Sequence, residues 1–312
     1  MPADVITPVS LADSAHDPAG FARDLGQSFA RFGFAVVAGH GIDPRLIDDA
    51  FDRTKRFFAL PEAVKRRYVV PGGAGQRGYT PFGIETAKGA ARADLKEFWH
   101  VGRALPPGHR YAEIMPPNLS VAEIPDFDAV TQALFAAMDR LGLRLLAAIA
   151  RYLALDETYF DTRVAEGNSI LRLLHYPPVP ADAAGVRAGA HEDINVITLL
   201  LGAEESGLEL LDRDGRWLPV NPPPGCVVVN IGDMLQRLTN HVLPSTTHRV
   251  VNPPPDRAGV PRYSMPFFQH FAPDVVIETL PACVGPDRPN RYPQPITAHA
   301  YLRERLAEIK LA

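Results

Sequence analysis

"GAHEDINVITLLL", residues 189–201, sets three ionisable side chains, His191, Glu192 and Asp193, at the mouth of an apolar run that extends from Ile194 to Leu201. Burying charge costs several kcal/mol unless something compensates it, so a histidine and an aspartate at the edge of a buried segment demand a partner. On a strand, residues i and i+2 share a face, which places His191 beside Asp193 and turns Glu192 away. One imidazole and one carboxylate on one face supply two of the three ligands of a facial triad for non-haem Fe(II). The third must be a histidine from an opposing strand.

His241, His248, His270 and His299 are the downstream candidates. His248 is the best placed, because it opens the short apolar run "HRVVN" after the polar turn "LPSTT". His241 follows the helix-like "DMLQRLTN" and serves as well to cap it. His270 closes "FFQHF" as a partly exposed strand terminus, and His299 falls in a surface helix. Any one histidine alone reads as a hydrogen-bonded structural residue. A strand-borne His-x-Asp followed by another strand-borne histidine is more demanding and points to metal. Two imidazoles and one carboxylate leave three adjacent coordination positions open, which suits iron better than zinc.

A second group, Arg262 and Ser264, shares a strand face by the same period, among the apolar neighbours of "MPFFQHF". A guanidinium in that setting calls for a carboxylate held by paired hydrogen bonds, with a hydroxyl adding one more; a surface salt bridge at a strand start is the plainer alternative. Tyr176, in "LLHYPP", can add a phenol to the same pocket.

The remaining chain supplies the scaffold. Phe21, Leu25, Phe29 and Phe32 recur at helical spacing up to Gly33, and "FAVVAGHG" reads as a buried strand. "DPRLIDDAFDRTKRFFALP" is a second helix closed by Pro61, "VPGGAGQRGYTPFG" a glycine-rich loop, "DLKEFWHVGR" a strand, and residues 128–155 a long helix. After residue 168 short apolar runs alternate with Gly, Pro, Asp and Asn clusters, the signature of antiparallel strands in a sandwich or barrel. "TAHAYLRERLAEIKL" reads as a last helix. The expected organisation is an N-terminal helix-and-strand region over 1–120 and a catalytic core with its long and final helices over 121–312, forming one integrated unit.

Composition narrows the function classes. The 312 residues are 46% hydrophobic with a net charge of −4 and no basic block, so a sizeable core is available and nucleic acid is an unexpected partner. No apolar run approaches the ~20 residues that cross a bilayer, and the N-terminus lacks a basic region followed by an apolar stretch. Cys226 and Cys283 fit neither a disulfide framework nor a zinc knuckle, which makes a reducing, cytoplasmic location the expectation. A small-molecule substrate is the expected partner. Oligomeric state is left open.

The ordered set "FARFGFAVVAGHGI", "GYTPFGIETAKG", "DLKEFWHVG", "HEDINVITLLL", "NIGDMLQRLTN", "STTHRVVN" and "PRYSMPFF" resembles the iron(II) and 2-oxoglutarate dependent dioxygenases of the isopenicillin N synthase-like group over nearly the whole chain. The resemblance implies a mainly β fold, a distorted double-stranded β-helix or jelly roll flanked by helices. It implies Fe(II) on His191, Asp193 and His248, dioxygen as oxidant, and 2-oxoglutarate as cosubstrate with its distal carboxylate on Arg262 and Ser264, helped by Tyr176. Asn230, Gly232 and Asp233 match a stretch that is mostly structural, Asp233 as a helix N-cap. In isopenicillin N synthase the matching Arg and Ser hold a substrate carboxylate and no 2-oxoglutarate is used, so an oxidase of that kind is a second reading. A non-catalytic metal-binding jelly roll is a third. Substrate specificity is expected from the 72–83 loop with Arg77, Tyr79 and Phe82, and from Phe98 and His100, with Arg77 solvated or bound to an anionic substrate group. Phe268, Phe271 and His175 are expected to be structural.

Overall fold

The structure, a computed structural model, describes residues 5–73, 75–86, 92–179, 185–202 and 207–308. The N-terminal part runs β1 (Val9–Ser10), α1 (Pro18–Phe32), β2 (Phe34–Ala38), α2 (Pro44–Phe58), α3 (Glu62–Lys65), β3 (Gly78–Thr80) and β4 (Glu97–Gly102). The long helix α4 (Phe127–Tyr152) and the short α5 (Asp161–Val164) lead into β5 (Ile170–Tyr176), β6 (Ala188–His191), β7 (Ile197–Leu201), β8 (Leu208–Leu211) and β9 (Trp217–Pro219). Then come β10 (Val227–Ile231), α6 (Asp233–Leu238), β11 (His248–Val250), β12 (Arg262–Gln269), β13 (Val276–Ile277), β14 (Ile296–Thr297) and α7 (Ala298–Glu308). The last residues of the expected final helix, 309–312, fall outside the described residues.

Two sheets build the jelly roll. The larger has the order β1-β2-β10-β7-β12-β5-β4-β3, and the smaller β6-β11-β8-β9; only the β1–β2 pair is parallel. Strands from before residue 120 therefore form both edges of the larger sheet, and the division of the chain at that point does not correspond to a break in the sheet. The expected loop over the glycine-rich stretch contains β3. Its entry needs Gly78 because φ is +73° there, and an added Cβ would lie 2.4 Å from the Tyr68 carbonyl oxygen. A glycine-rich string thus conceals a strand whose backbone has a neighbour too close for a side chain.

Alternation along the large sheet separates two environments. Leu171, Leu173, Ile197, Leu199, Val227, Val229, Met265 and Phe267 are buried in the core shared with α1, α2 and α4. Their even-numbered neighbours Leu174, Tyr176 and Val228 join Leu208, Leu210 and Val250 in a second core between the sheets. Helix α4, about 39 Å long at 1.5 Å per residue, buries Leu134, Met138, Leu141, Leu145 and Ile149 along one stripe and packs on α1, α2, β4, β7 and β12. Close helix contact is set by Gly26 of α1, where a Cβ would fall 2.2 Å from the Tyr152 ring.

Leu145 is completely buried at the centre of this stripe. Leu145→Ala is expected to cost about 3 kcal/mol, within the range for a leucine truncated in a packed core. A lowered denaturant midpoint with an unchanged slope is the check.

Candidate active site

His191 ends β6 and His248 opens β11, and the two residues are direct cross-strand partners. Asp193 does not continue the strand. The chain leaves β6 at His191 and turns across residues 192–196 to enter β7 in the other sheet, so Asp193 reaches its place from a turn rather than by the period-2 rule. The Asp233 N–H donates to the Asp193 carbonyl at 2.7 Å and pins that turn. A Cβ on Gly232 would lie 2.1 Å from the Asn195 carbonyl oxygen, so close packing there excludes any larger residue.

Each of the three side chains has one atom occupied and another presented. His191 Nδ1 is 2.8 Å from the Gly189 carbonyl and His248 Nδ1 is 3.1 Å from that of Thr246, which directs both Nε2 atoms inward. Asp193 Oδ2 accepts from Thr198 Oγ1 at 2.5 Å and from Asn230 Nδ2 at 2.8 Å. Oδ1 then faces His191 Nε2 at 3.8 Å and His248 Nε2 at 3.9 Å, and the three ligand atoms lie within 4.8 Å of one another. Among the described residues this is the one cluster of its kind. Burial pushes the His191 imidazole down to about 4, so it is the neutral ligand that a metal requires. Burial opposes ionisation of Asp193 too, but His248 and His191, with the Asn230 and Thr198 hydrogen bonds, hold it below the ordinary carboxyl range. Two imidazoles and a carboxylate with lone pairs converging from anchored positions fit a ferrous ion.

Thr198 and Asn230 were not singled out as ligand supports in the sequence. Their signal was the alternation: both are even-numbered neighbours of residues packed on the helices, so both face the interior. The N-cap assigned to Asp233 is displaced by one residue. Gly232 is the cap, and Asp233 lies 3.4 Å from Arg305 Nε of α7 while burial pushes its carboxyl up to about 6.

Arg262, Ser264 and Tyr176 come together as the alternation requires. Arg262 pairs with Tyr176 across β12 and β5, its guanidinium carbon is 5.0 Å from the Tyr176 ring centre, and its Nη1 donates to Ser264 Oγ at 3.3 Å. All three are buried. Arg187, fully buried with its Nη2 donating to the Val260 carbonyl at 3.0 Å, lies on Tyr176 as well, at 6.0 Å. Arg262 is therefore buried rather than set at the surface.

A cavity of about 760 Å³ opens in front of the triad, lined by His191 and Asp193, by Phe98, Ile170 and Phe268, and by Leu302 of α7. Of the expected specificity residues, Arg77, Tyr79, Phe98 and His100 border it. Arg77 is 2% exposed rather than solvated, and burial pulls its guanidinium down to about 10. Tyr79 turns its hydroxyl to Glu97 and its ring onto Phe57, commitments that leave little of it for a ligand. Phe82 is 48% exposed on a turn and is absent from the lining, because the chain reverses after Pro81 and points it outward. Phe268 borders the cavity instead of serving packing alone, whereas Phe271 is core. His175 stacks on Tyr263 on the helix side of the sheet and bonds Glu97 at 2.7 Å. His270, expected at a partly exposed terminus, is buried in the cavity wall. His241 bonds Tyr292 Oη at 2.6 Å, and His299 lies on α7; neither joins the triad.

Two family models match the chain: "non-haem dioxygenase in morphine synthesis N-terminal" over residues 5–123 and "2OG-Fe(II) oxygenase superfamily" over residues 167–271. A 2-oxoglutarate-Fe(II) type oxidoreductase of Aspergillus fumigatus is 36% identical over 282 residues, 87% of this chain and 82% of the relative. Among solved structures, a 2OG-Fe(II) oxygenase family protein of Caulobacter crescentus is 59% identical with a TM-score of 0.92, covering 98% of this chain and 99% of that one. Neurospora crassa T7H in complex with alpha-KG is 30% identical with a TM-score of 0.86, covering 98% and 97%. Further structures of T7H carry thymine or 5-formyluracil in addition. The fold and the His-Asp-His site define a non-haem iron oxygenase. The chain belongs to the Fe(II) and 2-oxoglutarate dependent oxygenase family and is an oxidoreductase. Among the described residues no helix is long and apolar enough to cross a membrane.

Two outcomes follow from this geometry. Asn230→Ala frees the Asp193 carboxylate to rotate and is expected to weaken Fe(II) binding roughly tenfold or more, measurable by competition with a chromogenic chelator. Separately, burial holds His270 at about 4 and His100 well below 6.5, with Arg172 adding to the effect on His100. Below pH 6.5 the unfolded chain takes up protons at these positions that the folded chain refuses, so metal-free protein should lose stability steadily from pH 6.5 towards 4. Thermal melts across that range check it, and a flat melting temperature contradicts it.

Proposed function

We propose that Nε2 of His191, Oδ1 of Asp193 and Nε2 of His248 bind Fe(II), and that Arg262 and Ser264, with Tyr176, bind the distal carboxylate of 2-oxoglutarate. The reaction read from this assignment is hydroxylation, or a related oxidation, of a small organic molecule. The observation that carries it is the convergence of the three ligand atoms within 4.8 Å, each held by its own second hydrogen bond. When bound, the metal and cosubstrate supply the oxidising power, dioxygen being reduced as 2-oxoglutarate is decarboxylated to succinate and carbon dioxide.

The chain's own contribution is placement. The neutral His191 imidazole and the ionised Asp193 offer lone pairs without prior loss of a proton. A buried guanidinium neutralises a carboxylate that would otherwise be costly to desolvate. Apolar side chains of the cavity keep water from the reacting carbon. The small-molecule ligands of T7H support a substrate of similar scale. The oxidase reading without 2-oxoglutarate is not favoured, since the relatives are named for that cosubstrate and T7H holds it. A complete ligand set at a cavity argues against a non-catalytic role. Cys226 and Cys283, both buried free thiols, support a cytoplasmic location.

Succinate formation from 2-oxoglutarate under Fe(II) and ascorbate is the test. His191→Ala should abolish it. Arg262→Leu should raise the KM for 2-oxoglutarate by roughly thirtyfold or more, corresponding to about 2 kcal/mol for a buried charge pair cut at one end. Oxygen uptake without succinate overturns the reading.

A further inference from the structure

On β5, the residue four places before Tyr176 on the same inward face is Arg172, which borders the cavity. Its guanidinium carbon lies 4.2 Å from the Phe98 ring centre and 5.1 Å from that of Phe268, a sandwich that fixes the plane of the group. Nε donates to His100 Nε2 at 2.6 Å, and Nη1 approaches Glu85 Oε2 at 3.2 Å. Nη2 has no hydrogen bond among the described residues, although the side chain is 16% exposed within the cavity wall. One edge of a rigidly held cation is thus left for a ligand.

Charge around Arg172 is unbalanced. Lys96 Nζ lies 3.0 Å from Glu85 and 2.8 Å from Asp94, so two carboxylates already serve Lys96 and Arg172. Arg77, also in the wall, donates Nη1 to the Gln76 carbonyl and packs against Gly102, where a Cβ would fall 1.9 Å from its guanidinium carbon. Its Nε and Nη2 are buried without a hydrogen bond, and no carboxylate among the described residues pairs with it. In this stretch of the wall three cations, Arg77, Lys96 and Arg172, meet two carboxylates, Glu85 and Asp94, while Glu192 and Asp193 line the triad side of the same cavity and Arg305 its α7 side. An uncompensated buried charge costs several kcal/mol, and an arriving anion removes that cost.

We propose that Arg172 anchors the primary substrate, and that this substrate is a small carboxylic acid whose carboxylate accepts from Arg172 Nη2 while its apolar body lies on Phe268 and Ile170. The proposal rests on the oxygenase reading above for what happens at the far end of the molecule. Two carboxylate stations then stand on one face of β5, about 13 Å apart at 3.3 Å per residue: Tyr176 with Arg262 for the cosubstrate, and Arg172 for the substrate.

The test is calorimetric titration of protein loaded with Mn(II) and saturating 2-oxoglutarate, using acetate, butyrate and phenylacetate against their primary amides. At least one acid is expected to bind about tenfold or more tightly than its amide, Arg172→Gln to bring the pair within about twofold, and Arg172→Lys to retain part of the preference. A panel in which no acid outbinds its amide, including one in which nothing binds, overturns the proposal. So does a preference that survives in folded Arg172→Gln. A separate titration of 2-oxoglutarate into the Mn(II)-loaded protein reads the oxygenase assignment, because its failure alongside an intact acid preference condemns that assignment and spares this one.

Discussion

The larger sheet is pressed against α4 and its neighbours through one set of alternate side chains, and everything at the active site depends on that contact. Once Leu171, Leu173, Leu199, Val229 and Phe267 are committed to the helices, a slip of one residue would bring Arg172, Thr198, Asn230 or Arg262 of their strands into the apolar core. The residues between them have no choice but to face the interior. Arg172, Tyr176, Thr198, Asn230, Arg262, Ser264 and Phe268 are those residues, so the hydrophobic register that stabilises the fold also aims its chemistry.

Orientation within the site is achieved by occupying the atoms that are not wanted. Backbone carbonyls take the Nδ1 side of both triad histidines, and Thr198 with Asn230 takes one oxygen of Asp193. What remains unoccupied points to a single centre. Such supports are what separate a metal site from a chance cluster, since they fix tautomer and rotamer before any ion arrives. The guanidinium of Arg172 follows the same logic, with two nitrogens tied and two rings holding its plane.

Much of this was legible residue by residue. The helices around Phe21 and Leu145, the strands after residue 168 and the Arg-x-Ser pair each carry a periodicity that local sequence preserves. Legibility failed where local pattern and tertiary position part company. Asp193 sits beside His191 because a turn carries it there, a path that no strand periodicity describes. Phe82 looked like a cavity residue from its glycine-rich surroundings, yet the turn after Pro81 sends it to solvent. His270 read as a strand end and Phe268 as packing, and only the closure of the sheet against α7 makes them part of a wall.

The sequence by itself determined which side chains alternate inward and which donors exist for a ferrous ion and a carboxylate, because both follow from the two-residue period of a strand and from the chemistry of imidazole, carboxyl and guanidinium groups. Tertiary structure alone decided how closely His248 meets the pair, which arginines are buried together, and which charged side chains share the cavity wall. Those are properties of distance between segments far apart in the chain, and they exist only once two sheets close over one interior.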